Sequence, residues 1–451
     1  MASRSSPAID SPIRPVPDRH GSILDLQPSV SANLCESYAG ASKIVASVLE
    51  GESMTAAIAR QLRDMPAGPS RAAIHDLSHQ TLRDYGWVHF MVKTLVERQP
   101  TSVLVLALLY ISLSDLQRRK RSYVAVDQAV RAARLLGCHN ADGFVNAVLR
   151  NFLRKAEELG AAASHDDAAI WKHPDWWVAQ IREIYPGAWE SILRAGNHHP
   201  PMTLRVNKAR IAVPAYMQML AANDHPARQV GDCAVRLDMP MPVGAIPGFD
   251  QGLVSVQDAG AQRAAAYLRP LAGQRVLDAC AAPGGKTAHL LESADCELTA
   301  IDNDARRCAR VTENLHRLGL RARVVEGDAS VVGAWWDGAP FDRILADAPC
   351  SASGIARRRP DIKWHRRPGD LPAYASIQSS MLNALWGVLA PGGRMLYSTC
   401  SLFPAENGVV VRHFMKIHAD ARAIELPGLQ AGQLLPGDDN DGFFYALFEK
   451  H

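Results

Sequence analysis

Val276-Leu277-Asp278-Ala279-Cys280-Ala281-Ala282-Pro283-Gly284-Gly285-Lys286-Thr287 is an apolar strand, then a loop of small residues, then the opening of a helix. Ala and Gly in such a loop let a ligand approach the backbone closely, and the helix after it offers unpaired N–H groups. A strand–loop–helix of this kind is how an open α/β sheet holds a nucleotide-like ligand at the C-terminal end of a strand.

Three loops of this type compete. A P-loop requires G-x-x-x-x-G-K-[ST]; Gly285-Lys286-Thr287 fits its end, but Cys280 stands where the first Gly belongs. The dinucleotide fingerprint G-x-G-x-x-G is absent. The third is the S-adenosylmethionine loop of class I methyltransferases, whose ligand has no pyrophosphate and whose turn can read A-A-P-G-G. An ordinary strand–turn–helix explains this loop equally well in isolation, so the rest of the chain must decide.

The bulk properties set limits. A chain of 451 residues has room for two to four domains. Its 47% hydrophobic and 21% charged residues are a globular balance. A net charge of +3 implies no nucleic-acid partner by itself, so any basic surface must be local. No apolar run reaches the roughly 20 residues of a membrane span, and the Ser/Pro-rich start carries no secretory pattern. Eight cysteines without a C-x-x-C pair suggest neither a disulfide framework nor a zinc site. The expectation is a cytoplasmic, metal-free protein, acting as a monomer and away from membranes.

In chain order, residues 1–35 read as a disordered tail. Residues 36–165 carry helical periodicity only, over 41–50, 72–96, 102–116, 125–136 and 142–158, and predict an all-α domain. Residues 166–268 read as a small α/β connecting domain, with strands near 202–207 and 252–258 and a helix over 259–268. Its Trp176 and Trp177 suit either base stacking or a core. Residues 269–451 alternate strand and helix: strands at 275–279, 297–301, 322–326, 341–346, 394–398 and 442–449, helices at 287–292, 305–318, 376–389 and 405–418. The fold class is therefore multidomain, ending in a Rossmann-like α/β domain.

The polar motifs of this last domain fall at strand ends. Asp302 can accept the ribose hydroxyls of a nucleoside, and Asp328 can meet an adenine edge. Asp347-Ala348-Pro349-Cys350 comes after a further strand. Amino-methyltransferases carry [DN]-P-P-[aromatic] here; this chain has Pro-Cys. A thiol suits carbon 5 of cytosine, which is not nucleophilic until a thiolate adds at carbon 6. An acid near N3 must stabilise that addition. Asp347 is the candidate, and burial should keep it protonated. Cys350 and Cys400 both stand after strands, and spacing alone does not choose between them as nucleophile. Cys280, in the cofactor loop, is expected to pack rather than react.

DACAAPGGKT (278–287), ID (301–302), GDA (327–329), DAPCSASG (347–354), RRRPDIKW (357–364) and YSTCS (397–401) together resemble the RNA cytosine-5 methyltransferases of the Nop/Nsun/RsmB superfamily. The resemblance implies that Cys400 is the nucleophile and that Cys350 assists release; DNA cytosine methyltransferases use the Pro-Cys thiol instead. It implies S-adenosylmethionine as cofactor, held by Cys280, Ala281, Ala282, Pro283, Gly284, Gly285 and Lys286 with Asp302, Asp328 and Asp347, and it places Lys286 near the active site. Gly143-Phe144-Val145-Asn146-Ala147-Val148-Leu149-Arg150 resembles the NusB-like helical domain, which implies RNA binding. The combination resembles the bacterial RsmB (Fmu/Sun) architecture and implies a cytosine of 16S ribosomal RNA as substrate.

Arg357, Arg358, Arg359, Lys363, Arg366 and Arg367 surround Trp364, with Asp361 as the one acid among them. Such a cluster suits a flipped or single-stranded nucleotide. Arg119, in the run Arg118-Arg119-Lys120-Arg121, and Arg150 are further candidates for phosphate contact, or belong to a solvated face. A tRNA substrate, and a role mainly in RNA-binding assembly, remain open alternatives.

Overall fold

The computed structural model describes residues 33–118 and 122–451. Most of the expected N-terminal tail, and Arg119, lie outside the described residues.

Helices α1 (Leu34–Leu49), α2 (Met54–Gln61), α3 (Pro69–Arg83), α4 (Tyr85–Leu95), α5 (Val103–Arg118), α6 (Ser122–Leu135), α7 (Asp142–Arg154) and α8 (Ala156–Ala163) form the N-terminal unit. α1 begins at Leu34, ahead of the expected 41, and runs through the middle against α3, α5 and α6. Its small residues permit that: a Cβ on Gly40 would stand 2.6 Å from Ile74 Cδ1. The helix expected over 72–96 is two helices, broken at Asp84. The buried Asp84 side chain is held by Gln80 (2.9 Å), Ser114 (2.8 Å) and Lys172 (2.6 Å).

Three short helices come next: α9 (Asp167–Trp171), α10 (Asp175–Ile184) and α11 (Trp189–Ala195). Trp177 is buried, with its ring centroid 5.3 Å from that of Phe403, so it is a core residue and not a stacking platform. An antiparallel sheet then forms from β1 (Met202–Val206), β2 (Ala227–Gln229), β3 (Ala234–Leu237) and β4 (Val254–Val256), in the order β2-β3-β1-β4. Helix α12 (Val213–Ala222) lies between β1 and β2, and α13 (Ala259–Leu268) leads into the last domain.

That domain contains β5 (Arg275–Ala279), α14 (Gly285–Ser293), β6 (Glu297–Asp302), α15 (Ala305–Leu318), β7 (Arg323–Glu326) and β8 (Phe341–Asp347). After them come α16 (Ile362–His365), α17 (Asp370–Gly387), β9 (Leu389–Thr399), α18 (Gly408–Ile417), β10 (Ala421–Ile424), β11 (Gln433–Leu434) and β12 (Phe443–Lys450). The sheet runs β10-β12-β9-β8-β5-β6-β7, with β11 paired to β12. β9, β8, β5, β6 and β7 are mutually parallel, so their C-terminal ends share one edge. β12 lies antiparallel beside β9. Pro391-Gly392-Gly393, which falls between the helix expected over 376–389 and the strand expected over 394–398, lies inside β9, opposite a register irregularity between Phe341 and Arg343.

Candidate active site

The loop after β5 is shaped from beneath. Asp278 is fully buried and accepts the Thr287 hydroxyl at 2.6 Å, tying strand end to helix start. Burial pushes its carboxyl up to about 7. Ala281 N–H bonds Ile301 O at 2.8 Å, and Gly284 N–H bonds Ala281 O at 2.8 Å. Gly284 has φ +94°, and a Cβ there would stand 3.2 Å from Val311 Cα, so the turn needs glycine. Cys280 Sγ contacts Met381 Sδ at 3.8 Å, and burial raises the thiol to about 12, which fits packing rather than reaction.

Asp302, at the end of β6, accepts Ala282 N–H at 3.1 Å through Oδ2, with Arg307 at 3.3 Å. Its Oδ1 is buried and has no partner. Asp328 lies just past β7; its Oδ1 caps Ser330 N–H at 2.8 Å and the Ser330 hydroxyl at 2.6 Å.

β8 and β9 are adjacent, with Asp347 opposite Ser398. Asp347 Oδ1 accepts the Ser398 hydroxyl at 2.6 Å and is ion-paired to Lys286. Lys286 Nζ also lies 3.1 Å from Ser398 Oγ and 5.6 Å from the Phe443 ring. The expectation that Asp347 is buried is not met: its side chain is 30% exposed and shares a cation. Cys350 and Cys400, one after each strand, bring their sulfurs within 3.4 Å. The Cys350 hydrogen bond and burial push the Cys400 thiol well up, while Lys286 acts in the opposite direction. Ser398 is a site residue the motif reading missed. The alternation of side chains along a strand would have found it, since Ser398 and Cys400 are two apart.

A cleft of about 750 Å³ joins these groups. Cys280, Ala282, Asp302, Asp328, Asp347, Cys350, Arg359 and Cys400 line it, as do Arg307, Arg366 and Tyr374. Ala281, Pro283, Gly284 and Gly285 shape the loop without lining the cleft, and Lys286 reaches it through Asp347.

Most of the basic segment does not face this cleft. Arg357 is buried, with Nε 2.5 Å from Asp441 and Nη1 3.0 Å from Gly437 O. Arg358 pairs with Asp441 and with Asp258 (2.9 Å). Lys363 is fully buried and donates to Lys172 O (2.8 Å), Asn197 Oδ1 (2.9 Å) and Arg83 O (3.3 Å). Trp364 Nε1 bonds Leu82 O at 2.9 Å, and its ring lies 4.5 Å from that of Tyr85. Lys363 and Trp364 fasten the last domain to the helices before it, Arg358 ties it to the connecting domain through Asp258, and Arg357 is held inside the last domain by Asp441 and Gly437, so as placed these side chains do not meet RNA. The reason is topological: past the Cys350 loop the chain turns inward between domains, where carbonyls and carboxylates satisfy the cations. Arg359 and Arg366 remain in the cleft. Arg150 is exposed, with Nε 2.9 Å from Asn146, beside a groove between α6 and α7 that also holds the 82% exposed Tyr123.

Residues 265–449 match the family described as 16S rRNA methyltransferase RsmB/F, residues 173–244 its ferredoxin-like domain, and residues 39–154 the NusB family. Among curated relatives, Ribosomal RNA small subunit methyltransferase B of Vibrio cholerae is 46% identical over 335 residues, 73% of this chain and 77% of that one. The Escherichia coli O17:K52:H18 protein of the same name is 39% identical over 420 residues, 91% of this chain and 97% of that one. Among solved structures, PH0851 superposes with a TM-score of 0.77 at 22% identity, covering 94% of this chain and 100% of that one, a likeness of fold. A methyltransferase homologue from Pyrococcus horikoshii gives 0.57 at 27% identity, covering 63% and 98%. The small α/β connecting domain is thus of the ferredoxin-like kind, and the helical one is a NusB domain.

Enzymes of this kind take their methyl group from S-adenosylmethionine. The residues fit it: the unpartnered Asp302 Oδ1 is an acceptor for ribose hydroxyls, and Cys280 and Ala282 of the loop line the cleft beside it. With a relative nearly half identical over three quarters of its length, and models of all three domains matching in order, this chain belongs to the RsmB/F family of 16S rRNA methyltransferases.

Proposed function

We propose that this methyltransferase modifies carbon 5 of a specific cytosine in 16S ribosomal RNA through a covalent adduct at Cys400. The observation that carries this reading is the pair of thiols 3.4 Å apart at the ends of β8 and β9, in the same cleft as Asp302 and Asp347. The Cys400 thiolate adds to carbon 6, and its electron pair closes the new S–C bond. The displaced ring electrons raise the charge at carbon 5, while the Lys286–Asp347 pair stabilises the negative charge spreading to N3 and O2. S-adenosylmethionine supplies the electrophilic methyl group that carbon 5 attacks. Cys350 then assists loss of the carbon 5 proton, and the electrons of that C–H bond restore the ring and expel the Cys400 thiolate. Asp302, Asp328 and the 280–286 loop hold the methyl donor. Arg359 belongs with the RNA contacts, and Arg150 and the Arg119 run extend them onto the NusB domain.

The test uses labelled S-adenosylmethionine and protein-free 16S RNA, with subsequent mapping of 5-methylcytosine. One modified cytosine is expected; label on another atom or only on tRNA would overturn the reading. Cys350→Ala should accumulate a covalent protein–RNA adduct and Cys400→Ala none, and the reverse pattern would exchange the two roles.

A further inference from the structure

Glu406 is a fully buried carboxylate in the short 3-10 turn Pro404–Glu406, and the proposed chemistry makes no use of it. Both its oxygens are engaged, by uncharged donors. Oε1 accepts the backbone N–H of Ser351 at 2.6 Å and Gln378 Nε2 at 3.5 Å. Oε2 accepts the Ser401 hydroxyl at 2.6 Å. Ser351 is the residue after Cys350 in the chain, and Ser401 the residue after Cys400. Neighbouring bonds reinforce the link. Gln378 donates to Pro349 O at 2.9 Å, just before Cys350. The Ser351 and Ser401 hydroxyls meet at 3.2 Å, and Ser353 Oγ accepts Leu402 N–H at 2.8 Å. The turn itself is held by Tyr397, whose hydroxyl donates to Glu406 O at 2.6 Å.

We propose that Glu406 is a positioning residue for the methyl transfer: one carboxylate bridges the loop after β8 to the loop after β9 and so sets the distance between the Cys350 and Cys400 sulfurs. This rests on the reading that those two thiols carry the reaction. The physical case is that an addition–elimination sequence with two thiols on separate loops needs both within reach of one base. β8 and β9 pair only as far as Asp347 and Ser398, short of both cysteines. Past that point one backbone bond, Gly354 N–H to Cys400 O at 2.8 Å, joins the two loops; side chains must fix the rest, and a bidentate acceptor that takes a donor from the residue after each cysteine braces both at once.

The bridge predicts an uncommon ranking of substitutions. Glu406→Gln keeps the length and one acceptor oxygen; the Ser351 N–H cannot reverse, but the Ser401 hydroxyl can rotate to accept the new amide N–H. Glu406→Asp keeps the charge but is one methylene shorter and reaches only one loop. Glu406→Asp is expected to lower kcat about 100-fold, with KM for S-adenosylmethionine and 16S RNA within about threefold of wild type, whereas Glu406→Gln stays within about threefold in kcat. Thiol spacing is read separately with diamide, an azo oxidant that takes up the two thiol hydrogens as a Cys350–Cys400 disulfide forms. Cross-linking, read from the mass of the joined peptides, should be slowed in Glu406→Asp and near wild type in Glu406→Gln. Ser401→Ala, which removes one donor and leaves the carboxylate, should slow cross-linking too, and serves if Glu406→Asp does not fold. Glu406→Gln as impaired as Glu406→Asp, wild-type kcat in Glu406→Asp, or unchanged cross-linking in a folded Ser401→Ala would each overturn the bridge. A Cys400→Ala enzyme that still methylates would instead overturn the thiol reading. A silent Cys400→Ala beside an unaffected Glu406→Asp would overturn the bridge alone.

Discussion

Two cation–carboxylate clusters lie a short stretch of chain apart and are built to opposite ends. In the cleft, the Lys286 and Asp347 side chains are 12% and 30% exposed. At the domain junction, those of Arg357 and Asp441 are 4% and 0% exposed, and Arg358 and Asp258 complete a four-membered network. A half-open pair can exchange its partner for a substrate atom at little cost. A closed one cannot, because breaking it leaves a charge away from water. The first therefore belongs to chemistry and the second to architecture, although both bring a cation and a carboxylate into direct contact.

Breaking each in turn sharpens the contrast. Asp441→Ala strands the buried Arg357 guanidinium and leaves Arg358 with Asp258 alone, and is expected to cost on the order of 3–5 kcal/mol of stability, measured by denaturant unfolding. Lys286→Met should leave the unfolding midpoint nearly unchanged and lower kcat about 100-fold, roughly 3 kcal/mol in the barrier. If instead Lys286→Met unfolds the protein while Asp441→Ala spares it, the assignment of the two clusters is inverted.

A smaller effect comes from Asp278, whose carboxyl is raised from 3.8 to about 7 by burial. Between those values the folded chain holds a proton that the unfolded chain has lost, so this group's contribution to stability declines as pH rises through that window. The slope is at most about 1.4 kcal/mol per pH unit. Asp278→Asn should flatten it, checked by unfolding at several pH values; an unchanged slope would place the titration elsewhere. Smallest of all, Arg134→Ala removes an exposed pair with Asp142 (2.8 Å) and should leave the denaturant unfolding midpoint unchanged.

The cleft cluster was the legible one. Its residues stand at the ends of short apolar runs, and a parallel sheet brings those ends to one edge whatever the loops between them do. The strand at 275–279 and the helices at 259–268 and 305–318 have the bounds expected of them. Three features were not legible, each for a physical reason. Lys363 and Trp364 look like an RNA surface because residue type does not state what covers it, and their partners lie between 166 and 282 positions away in the chain. The break at Asp84 is set by Ser114 and Lys172, which no local window contains. Pro391-Gly392-Gly393 reads as a terminator, yet pairing with β8 absorbs it as an irregularity within β9. Glu406 carries no motif signal by itself; only the convergence of two loops gives it a role.

The junction also has a history in time. Met54 N–H, at the first turn of α2, is satisfied by Asp361 Oδ2 at 3.0 Å, across 307 positions of sequence. Ribosomes add roughly 5–20 residues per second, so that donor waits roughly 15–60 s for its acceptor to be made. During that interval the nascent NusB domain shows solvent a docking face that the finished enzyme hides. The face is thus available, while synthesis lasts, to whatever chaperone or RNA stands near the exit of the ribosome.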